Sequence, residues 1–313
     1  MSAPRLIDAH VHILPEHILG ERYERLHTEQ FAYGFRKTYD GSFYVTPPYV
    51  RDSQFTADTL VHMMDVYGVE RAVVQQTPIF PFNEDVAQAV EKYPERLSGA
   101  MLLEPEDGWA ERMEYWYGRG LRSVKFEMRS FTSAEMFPQA VFGSRVMGDM
   151  LEKAGALRMT VTVDPAPTDF PVYRPEALYD AVRAVPDARF VICHLGYPSP
   201  LDTEEARKKW EAMVTVSSLP NCWLDVSAMP DFFDGEGWPF PTALALFRQV
   251  KDTVGIEKLV WGSDIPSTLC RATYPQMIEM FRRAGLTEAE LDRLFYTNAL
   301  AAYGLPAKEE NKK

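Results

Sequence analysis

Leu6-Ile7-Asp8-Ala9-His10-Val11-His12 is the stretch that decides the fold. An apolar start followed by alternating polar and apolar residues is a β-strand pattern, because successive side chains in a strand point to opposite faces. On that reading Asp8, His10 and His12 share one face, and Ile7, Ala9 and Val11 share the other. Two imidazoles two positions apart at a strand end converge readily on one cation, since neutral imidazole is the commonest protein metal ligand. Taken alone, a His-x-His reads first as a polar strand end beside solvent. The later strands change that balance.

Working outward, seven more strand-like runs follow: Arg71–Thr77, Leu97–Glu104, Arg122–Glu127, Met159–Asp164, Phe190–His194, Cys222–Ser227 and Leu259–Asp264, after a first run of Arg5–His12. Between them lie segments of helical period, among them Ala57–Tyr67 with Leu60, Met63, Met64 and Tyr67 at three- and four-residue steps. Strand alternating with helix implies parallel strands, and eight such units predict an α/β fold, a closed (β/α)8 TIM barrel. An open doubly wound sheet is the structural runner-up, but no Gly-rich phosphate turn follows the first strand. Thr287–Tyr303 opens with Thr287 and has Glu290 three residues on, a capping-box spacing, so it predicts a C-terminal helix stopped by Gly304. Its barrel-facing side carries Leu291, Leu294, Phe295, Leu300 and Tyr303. The expected organisation is one domain over residues 1–306, with a disordered charged tail at 307–313.

More than forty residues separate His12 from the first helix, far longer than an ordinary strand-to-helix loop. This insertion, 13–56, is rich in aromatic residues and carries Arg22, Arg25 and Arg36. On a barrel it rises over the mouth where the pocket is shaped, which makes it a lid with aromatic walls and an arginine for a substrate carboxylate. Packing on the barrel side or on a second subunit is the compatible alternative.

The 313 residues are 46% hydrophobic and 25% charged, as expected of a soluble globular chain that needs no disulfides. A formal net charge of −12 disfavours nucleic acid and anionic membrane as partners and leaves a small-molecule substrate as the expected one. Cys193, Cys222 and Cys270 are few and odd in number, and the first two sit in apolar runs, which fits a reducing, cytoplasmic setting. The sequence shows no basic-then-apolar leader pattern and no apolar run long enough to span a membrane.

Polar groups of metal-binding type recur at the strand ends: His10 and His12 on the first, Glu127 beside Lys125 on the fourth, Asp164 on the fifth, His194 on the sixth and Asp264 on the eighth. In a barrel these ends lie at one level, so residues remote in sequence become neighbours. Asp225, Ser227, Glu104 and Gln75 are candidates for orienting those ligands. Alternation turns Cys193 away from the site, and His17, His27 and His62 stand outside the pattern.

Ile7-Asp8-Ala9-His10-Val11-His12, Cys193-His194-Leu195-Gly196, Trp261-Gly262-Ser263-Asp264-Ile265-Pro266 and Tyr296-Thr297-Asn298-Ala299 together resemble the amidohydrolase superfamily. The likeness is to its amidohydrolase-related branch, with aminocarboxymuconate-semialdehyde decarboxylase and the hydroxybenzoate decarboxylases. The resemblance implies a distorted barrel with one or two divalent metal ions (Zn, Mn or Fe). It implies His10, His12 and Asp264 as metal ligands, His194 as the group that orients or activates a water there, and Asp264 as the proton shuttle. The departure is at strand five, where Asp164 stands in place of the usual ligand histidine. A carboxylate there favours a harder metal. Two-metal members place a bridging carboxylate at strand four, and Glu127 matches it, with Asp164 and His194 on the second ion. A structural Lys125–Glu127 pair is the alternative. The implied activity is non-oxidative decarboxylation of a small carboxylate-bearing or aromatic molecule, with three alternatives. These are lactone or amide hydrolysis, a dinuclear Fe or Mn oxygenase-type site, and a non-catalytic metal-binding subunit of a hetero-oligomer. A homo-oligomer is the expected assembly.

Overall fold

A computed structural model describes residues 5–39, 41–77, 82–129, 137, 140–233 and 235–307 of the chain. Eight parallel strands follow one another around a nearly closed barrel: β1 (Leu6–Val11), β6 (Val69–Val74), β7 (Leu97–Leu102), β8 (Ser123–Glu127), β9 (Thr160–Asp164), β10 (Arg189–Ile192), β11 (Cys222–Asp225) and β12 (Leu259–Val260). The helices between them are α1 (Ala57–Tyr67), α2 (Asn83–Lys92), α3 (Trp109–Gly118), α4 (Arg145–Ala156), α5 (Pro175–Ala184), α6 (Glu204–Val216), α7 (Pro241–Val254) and α8 (Tyr274–Arg282). The predicted (β/α)8 architecture is therefore the observed one. Thr56, Ser144, Thr203 and Thr273 cap α1, α4, α6 and α8 through their hydroxyls, which explains why these helices begin where they do.

The eighth strand is shorter than expected. It runs only over Leu259–Val260, and the barrel is closed beyond it by single hydrogen bonds to β1: Ala9 N to Trp261 O at 3.1 Å, Asp264 N to His10 O at 2.8 Å, and His12 N to Ile265 O at 2.8 Å. The reason is local. Asp264 takes a left-handed φ of 61°, and the chain packs so tightly that a Cβ on Gly262 would stand 2.6 Å from His10 Cβ. Only glycine permits that approach.

The first strand also departs from simple alternation. Leu6 and Val11 pack in the core between strands and surrounding helices, whereas Ile7 and Ala9 pack with Val73, Val191 and Val260 in a second core. Ala9 and Val11, two residues apart, thus lie on opposite faces, and the β1–β6 register shifts between Asp8 and Val11. A bulge of this kind re-aims the side chains beyond it. As a result Asp8 does not share a face with His10 and His12. Its carboxylate turns the other way, onto the Tyr274 hydroxyl of α8 at 2.6 Å and the Ser263 N–H at 2.8 Å.

The C-terminal segment is α9 (Glu288–Asp292), a π-helical turn over Arg293–Thr297, and α10 (Asn298–Tyr303). The capping box of Thr287 with Glu290 is present, and Gly304 ends α10 at a left-handed φ of 60°. Leu291, Leu294 and Phe295 join the outer core, while Tyr296, Ala299, Ala302 and Tyr303 complete the inner one. The segment binds the starts of the strands, through Thr160 Oγ1 to Ala302 O at 3.0 Å and Asn298 Nδ2 to Leu259 O at 2.7 Å. The expected disordered tail, 307–313, lies outside the described residues except for residue 307.

The insertion forms a four-stranded antiparallel sheet: β2 (Arg22–Tyr23), β3 (Thr28–Gln30), β4 (Phe35–Thr38) and β5 (Gly41–Tyr44). Its neck is clasped by reciprocal Leu14–Phe55 backbone bonds of 2.8 and 2.9 Å. No helix among the described residues is long and apolar enough to cross a membrane.

Candidate metal centre at the barrel mouth

The strand ends and the insertion sheet enclose a cavity of about 730 Å³, within the range of small-molecule sites. Its floor is His12, Lys125, Glu127, Asp164, His194 and Asp264, and its upper wall includes Arg36, Phe43, Tyr44 and Phe232. Residues up to 252 positions apart in the chain thereby meet, as in the contact of His12 Nε2 with Asp264 Oδ1 at 3.0 Å.

His10 is fully buried at the base. Its Nδ1 lies 2.8 Å from Asp225 Oδ2, so the carboxylate fixes the proton on Nδ1 and leaves Nε2 as a lone pair. That Nε2 has no hydrogen-bond partner among the described residues and sits 3.5 Å from Asp264 Oδ1. Burial lowers the His10 pKa to about 4, against the opposing pull of Asp225. Burial lowers His12 as well, although Asp264 opposes it. Both imidazoles are accordingly neutral, the state that ligates metal. Burial alone would raise the Asp264 carboxyl, but the His12 hydrogen bond and the surrounding histidines hold it well below the ordinary carboxylate range. His10, His12 and Asp264 each offer one atom within 4.8 Å of the others, a spacing that suits one divalent ion. The donor set fits: two neutral nitrogens, one ionised oxygen, and an orphaned buried nitrogen aimed among them.

His194 stands beside this group, its ring centroid 4.7 Å from that of His10. Nδ1 meets Ser227 Oγ at 2.8 Å, which turns Nε2 toward Asp164 Oδ2 at 3.5 Å. Here the strand expectation needs correction. The sixth strand ends at Ile192, and His194 and Leu195 adopt left-handed φ values of 56° and 52°. Cys193 is still extended, so alternation carries it to the inner face of Val191 and fails only at His194. Cys193 points inward instead of away, with its thiol in the same cluster as His10 and Asp225, and burial raises its pKa well above the ordinary value.

Asp225 is the hub beneath these residues. It accepts from His10 Nδ1, from the backbone N–H of His194 at 2.8 Å and from the Ser227 N–H at 3.1 Å. Despite its burial, the His10 and His194 rings and these donors hold it well below the usual carboxylate range. Asp225 and Ser227 thus occupy the orienting positions that the sequence suggested. Gln75 and Glu104 lie elsewhere. Gln75 bonds Thr162 and Tyr303 inside the barrel, and Glu104 ties down the insertion through Tyr23 and Arg25. Asp8 was not foreseen, because its role depends on the bulge. Burial raises its pKa to about 7.

Glu127 and Asp164 are register partners on β8 and β9 and both line the cavity. Neither belongs to a group of three metal-ligating atoms within reach of one ion among the described residues. Lys125 is buried beside them. Burial opposes its charge, but the Cys193, Asp164, Glu127 and Asp264 groups raise its pKa above the ordinary lysine value.

Of the three candidate arginines, only Arg36 lines the cavity; its Nε donates to Gln30 Oε1 at 2.7 Å, and burial lowers its pKa to about 9. Arg22 is engaged by Glu29 at 2.6 Å, and Arg25 by Glu104 at 2.7 Å, both away from the cavity lining. Arg22 and Arg36 lie on strands of the insertion sheet, whereas Arg25 lies in the 3-10 turn Glu24–Leu26 between β2 and β3. His17 is exposed between Glu21 and Asp85.

A family model described as Amidohydrolase matches residues 7–305. No curated protein sequence matches the chain. Among solved structures, a probable 2-pyrone-4,6-dicarboxylic acid hydrolase from Acinetobacter baumannii with citric acid bound superposes with a TM-score of 0.70 at 17% identity, covering 96% of this chain and 99% of that one. An amidohydrolase from Burkholderia multivorans with bound zinc gives 0.71 at 16% identity over 96% and 100%. The 5-carboxyvanillate decarboxylase from Sphingomonas paucimobilis gives 0.63 at 16% identity over 97% and 100%. At such identities these likenesses speak for the fold alone.

Proposed function

The chain belongs to the amidohydrolase family, and from that premise we propose that it is a metal-dependent enzyme that removes CO2 from a small aromatic or otherwise unsaturated carboxylate. The observation that carries the metal part is His10 Nε2: a neutral, buried nitrogen, fixed in tautomer by Asp225 and aimed at Asp264 with no partner of its own among the described residues. His10, His12 and Asp264 would hold the ion, which supplies Lewis acidity toward substrate oxygens when bound.

The remaining roles fall to the chain's own residues. Arg36, on the insertion sheet, lines the cavity and would hold a carboxylate by charge-assisted hydrogen bonds. Phe43, Tyr44 and Phe232 give apolar walls for a flat substrate. Asp264, ionised and open to the cavity, takes a proton from substrate hydroxyl or water and returns it to carbon as the bond to the carboxylate breaks. CO2 leaves, and the electron pair left behind takes that proton. His194, fixed by Ser227, presents Nε2 to the charge that develops beside Asp164.

Hydrolysis of a lactone or amide is the second reading. It uses the same ionised Asp264, which then accepts a proton from attacking water. Turnover of a panel of aromatic carboxylates and lactones in D2O and in 18O-water separates the two. Decarboxylation leaves one deuterium on the carbon that bore the carboxylate and no 18O, whereas hydrolysis incorporates 18O and leaves that carbon untouched. Product carrying 18O, with no CO2 released, overturns the first reading.

A further inference from the structure

Lys125 lies within β8, two residues before Glu127, and is only 2% exposed. It opens on the cavity that Asp164, Glu127, His194 and Asp264 also line. On the adjacent strands Lys125 is opposite Thr162 and Glu127 opposite Asp164, so the ammonium and both carboxylates belong to neighbouring rungs of one barrel wall. Among the described residues, Lys125 makes no hydrogen bond and no direct ion pair, although Glu127, Asp164 and Asp264 line the same cavity. Lysine is almost never buried without a partner. An unpaired ammonium sunk in a barrel mouth is therefore placed for something that enters that mouth.

The other half of the observation concerns the carboxylates. Glu127, Asp164 and His194 are the residue types of a second metal position, and two ions bridged by a shared carboxylate are a common hydrolytic arrangement. Yet the groups that converge tightly enough for an ion are His10, His12 and Asp264, and, beneath them, His10, Cys193 and Asp225; neither includes Glu127 or Asp164. A dication drawn to those two carboxylates would share the cavity with the Lys125 ammonium in a poorly screened site, where like charges repel strongly.

We propose that the Lys125 ammonium is the second cation of the barrel mouth, standing beside Glu127 and Asp164 where a second metal ion would be held, so that a substrate oxyanion is gripped between it and a single ion on His10, His12 and Asp264. This inference rests on the metal-dependent reading above. It assigns Lys125 a substrate-binding role and predicts a site with one metal ion and one fixed ammonium. The ligand class is a small molecule with an anionic oxygen, a carboxylate or an enolate, able to bridge two cations across the floor of the cavity.

The full-length chain, saturated with Zn or with Mn and freed of excess by gel filtration, is assayed for metal per chain by elemental mass spectrometry. One ion is expected for the wild type and for Lys125→Arg, which keeps a cation. Two are expected for Lys125→Met, which keeps the length and apolar stem but removes the charge. Two ions in the wild type overturn the proposal, as does a folded Lys125→Met chain that still binds one. Should Lys125→Met fail to fold, the wild-type and Lys125→Arg counts decide it, one supporting and two refuting. No metal in any form overturns the metal-dependent reading itself, and this inference with it, a result distinct from the count of two.

Discussion

Replacing Asp225 by Asn tests whether the centre is built to present His10 Nε2 to a metal. In the native chain the Asp225 carboxylate accepts the His10 Nδ1 proton at 2.8 Å and the His194 backbone N–H at 2.8 Å. An Asn at 225 keeps one oxygen, which can still accept from His194. Its amide nitrogen then faces His10 Nδ1 as a donor. The tautomer that binds metal, with the proton on Nδ1, now meets donor against donor in a buried site. The alternative tautomer puts its proton on Nε2, directly in the place of the ion. One buried donor left unsatisfied costs about 1–3 kcal/mol, which is about 5- to 150-fold in binding. Loss of the group that orients a metal-ligating histidine typically costs about 10–100-fold, so the two routes agree. Asp225→Ala differs in kind, since it strands four donors at once (His10 Nδ1, the His194 and Ser227 N–H groups and the Ser227 hydroxyl) and should cost of the order of 5 kcal/mol of stability, a large share of a domain's total. The assay pairs a chelator-competition titration of metal affinity with thermal unfolding of the metal-free chain. Asp225→Asn should lose most of its metal affinity and little stability, and Asp225→Ala should lose both. Wild-type metal affinity in a folded Asp225→Asn chain would refute the reasoning.

Asp8 and Arg36 give two further tests. Burial holds the Asp8 pKa at about 7, so between about pH 4 and 7 the folded chain keeps a proton that the unfolded chain has released, and stability falls as pH rises through that window. At about 1.36 kcal/mol per unit, Asp8→Asn, which mimics the protonated acid with one oxygen to accept from the Ser263 N–H and an N–H turned to the Tyr274 hydroxyl oxygen, should stabilise the metal-free chain by about 2–4 kcal/mol at pH 8 and by little at pH 4. His10, whose pKa is lowered, contributes the opposite slope between about pH 4 and 6.5, and comparison of variant with wild type at each pH cancels it; equal denaturant midpoints at pH 8 would exclude the assignment. For Arg36, substitution by Lys keeps the charge but loses the planar fork and should raise KM for a carboxylate substrate about tenfold with kcat changed less, whereas Arg22→Ala should leave both within about twofold. An equal effect from Arg22→Ala would mean that the cavity wall is not what selects the carboxylate.

The barrel was legible because its evidence is redundant. Four of the eight helix starts are marked by Thr or Ser caps, and the alternation of strand with helix repeats eight times, so an error of one or two residues at any boundary changes nothing. The insertion was different. Its strands are two to four residues long and held by pairing across turns, and such short segments carry too little alternation to stand out from an aromatic-rich loop. Whether Arg22 or Arg36 faces the cavity depends on the register of that sheet, which a single residue's slip would invert, and Arg25 lies in a 3-10 turn that alternation does not describe.

At the site, residue types were readable and their directions were not, and one physical cause accounts for each miss. Asp8, His194 and the short eighth strand all sit where regular strand geometry breaks: the bulge in β1, the left-handed pair His194–Leu195, and the left-handed Asp264; Cys193, still extended, was assigned the wrong face because His194 beside it leaves the alternation. Alternation assigns faces only while the backbone stays extended, so it fails at these positions and holds at Lys125 and Glu127, which share a regular strand. Left-handed non-glycine residues cost about 1–3 kcal/mol each and persist only where surrounding contacts over-determine them. Asp225 supplies those contacts for His194, binding its N–H directly, and Asp8 does so for the seam, binding the N–H of Ser263 beside Asp264. The two buried carboxylates therefore serve one purpose from opposite sides. They hold open three irregular strand ends whose side chains would otherwise be dispersed between barrel and solvent, and the convergence of His10, His12 and Asp264 follows from that restraint.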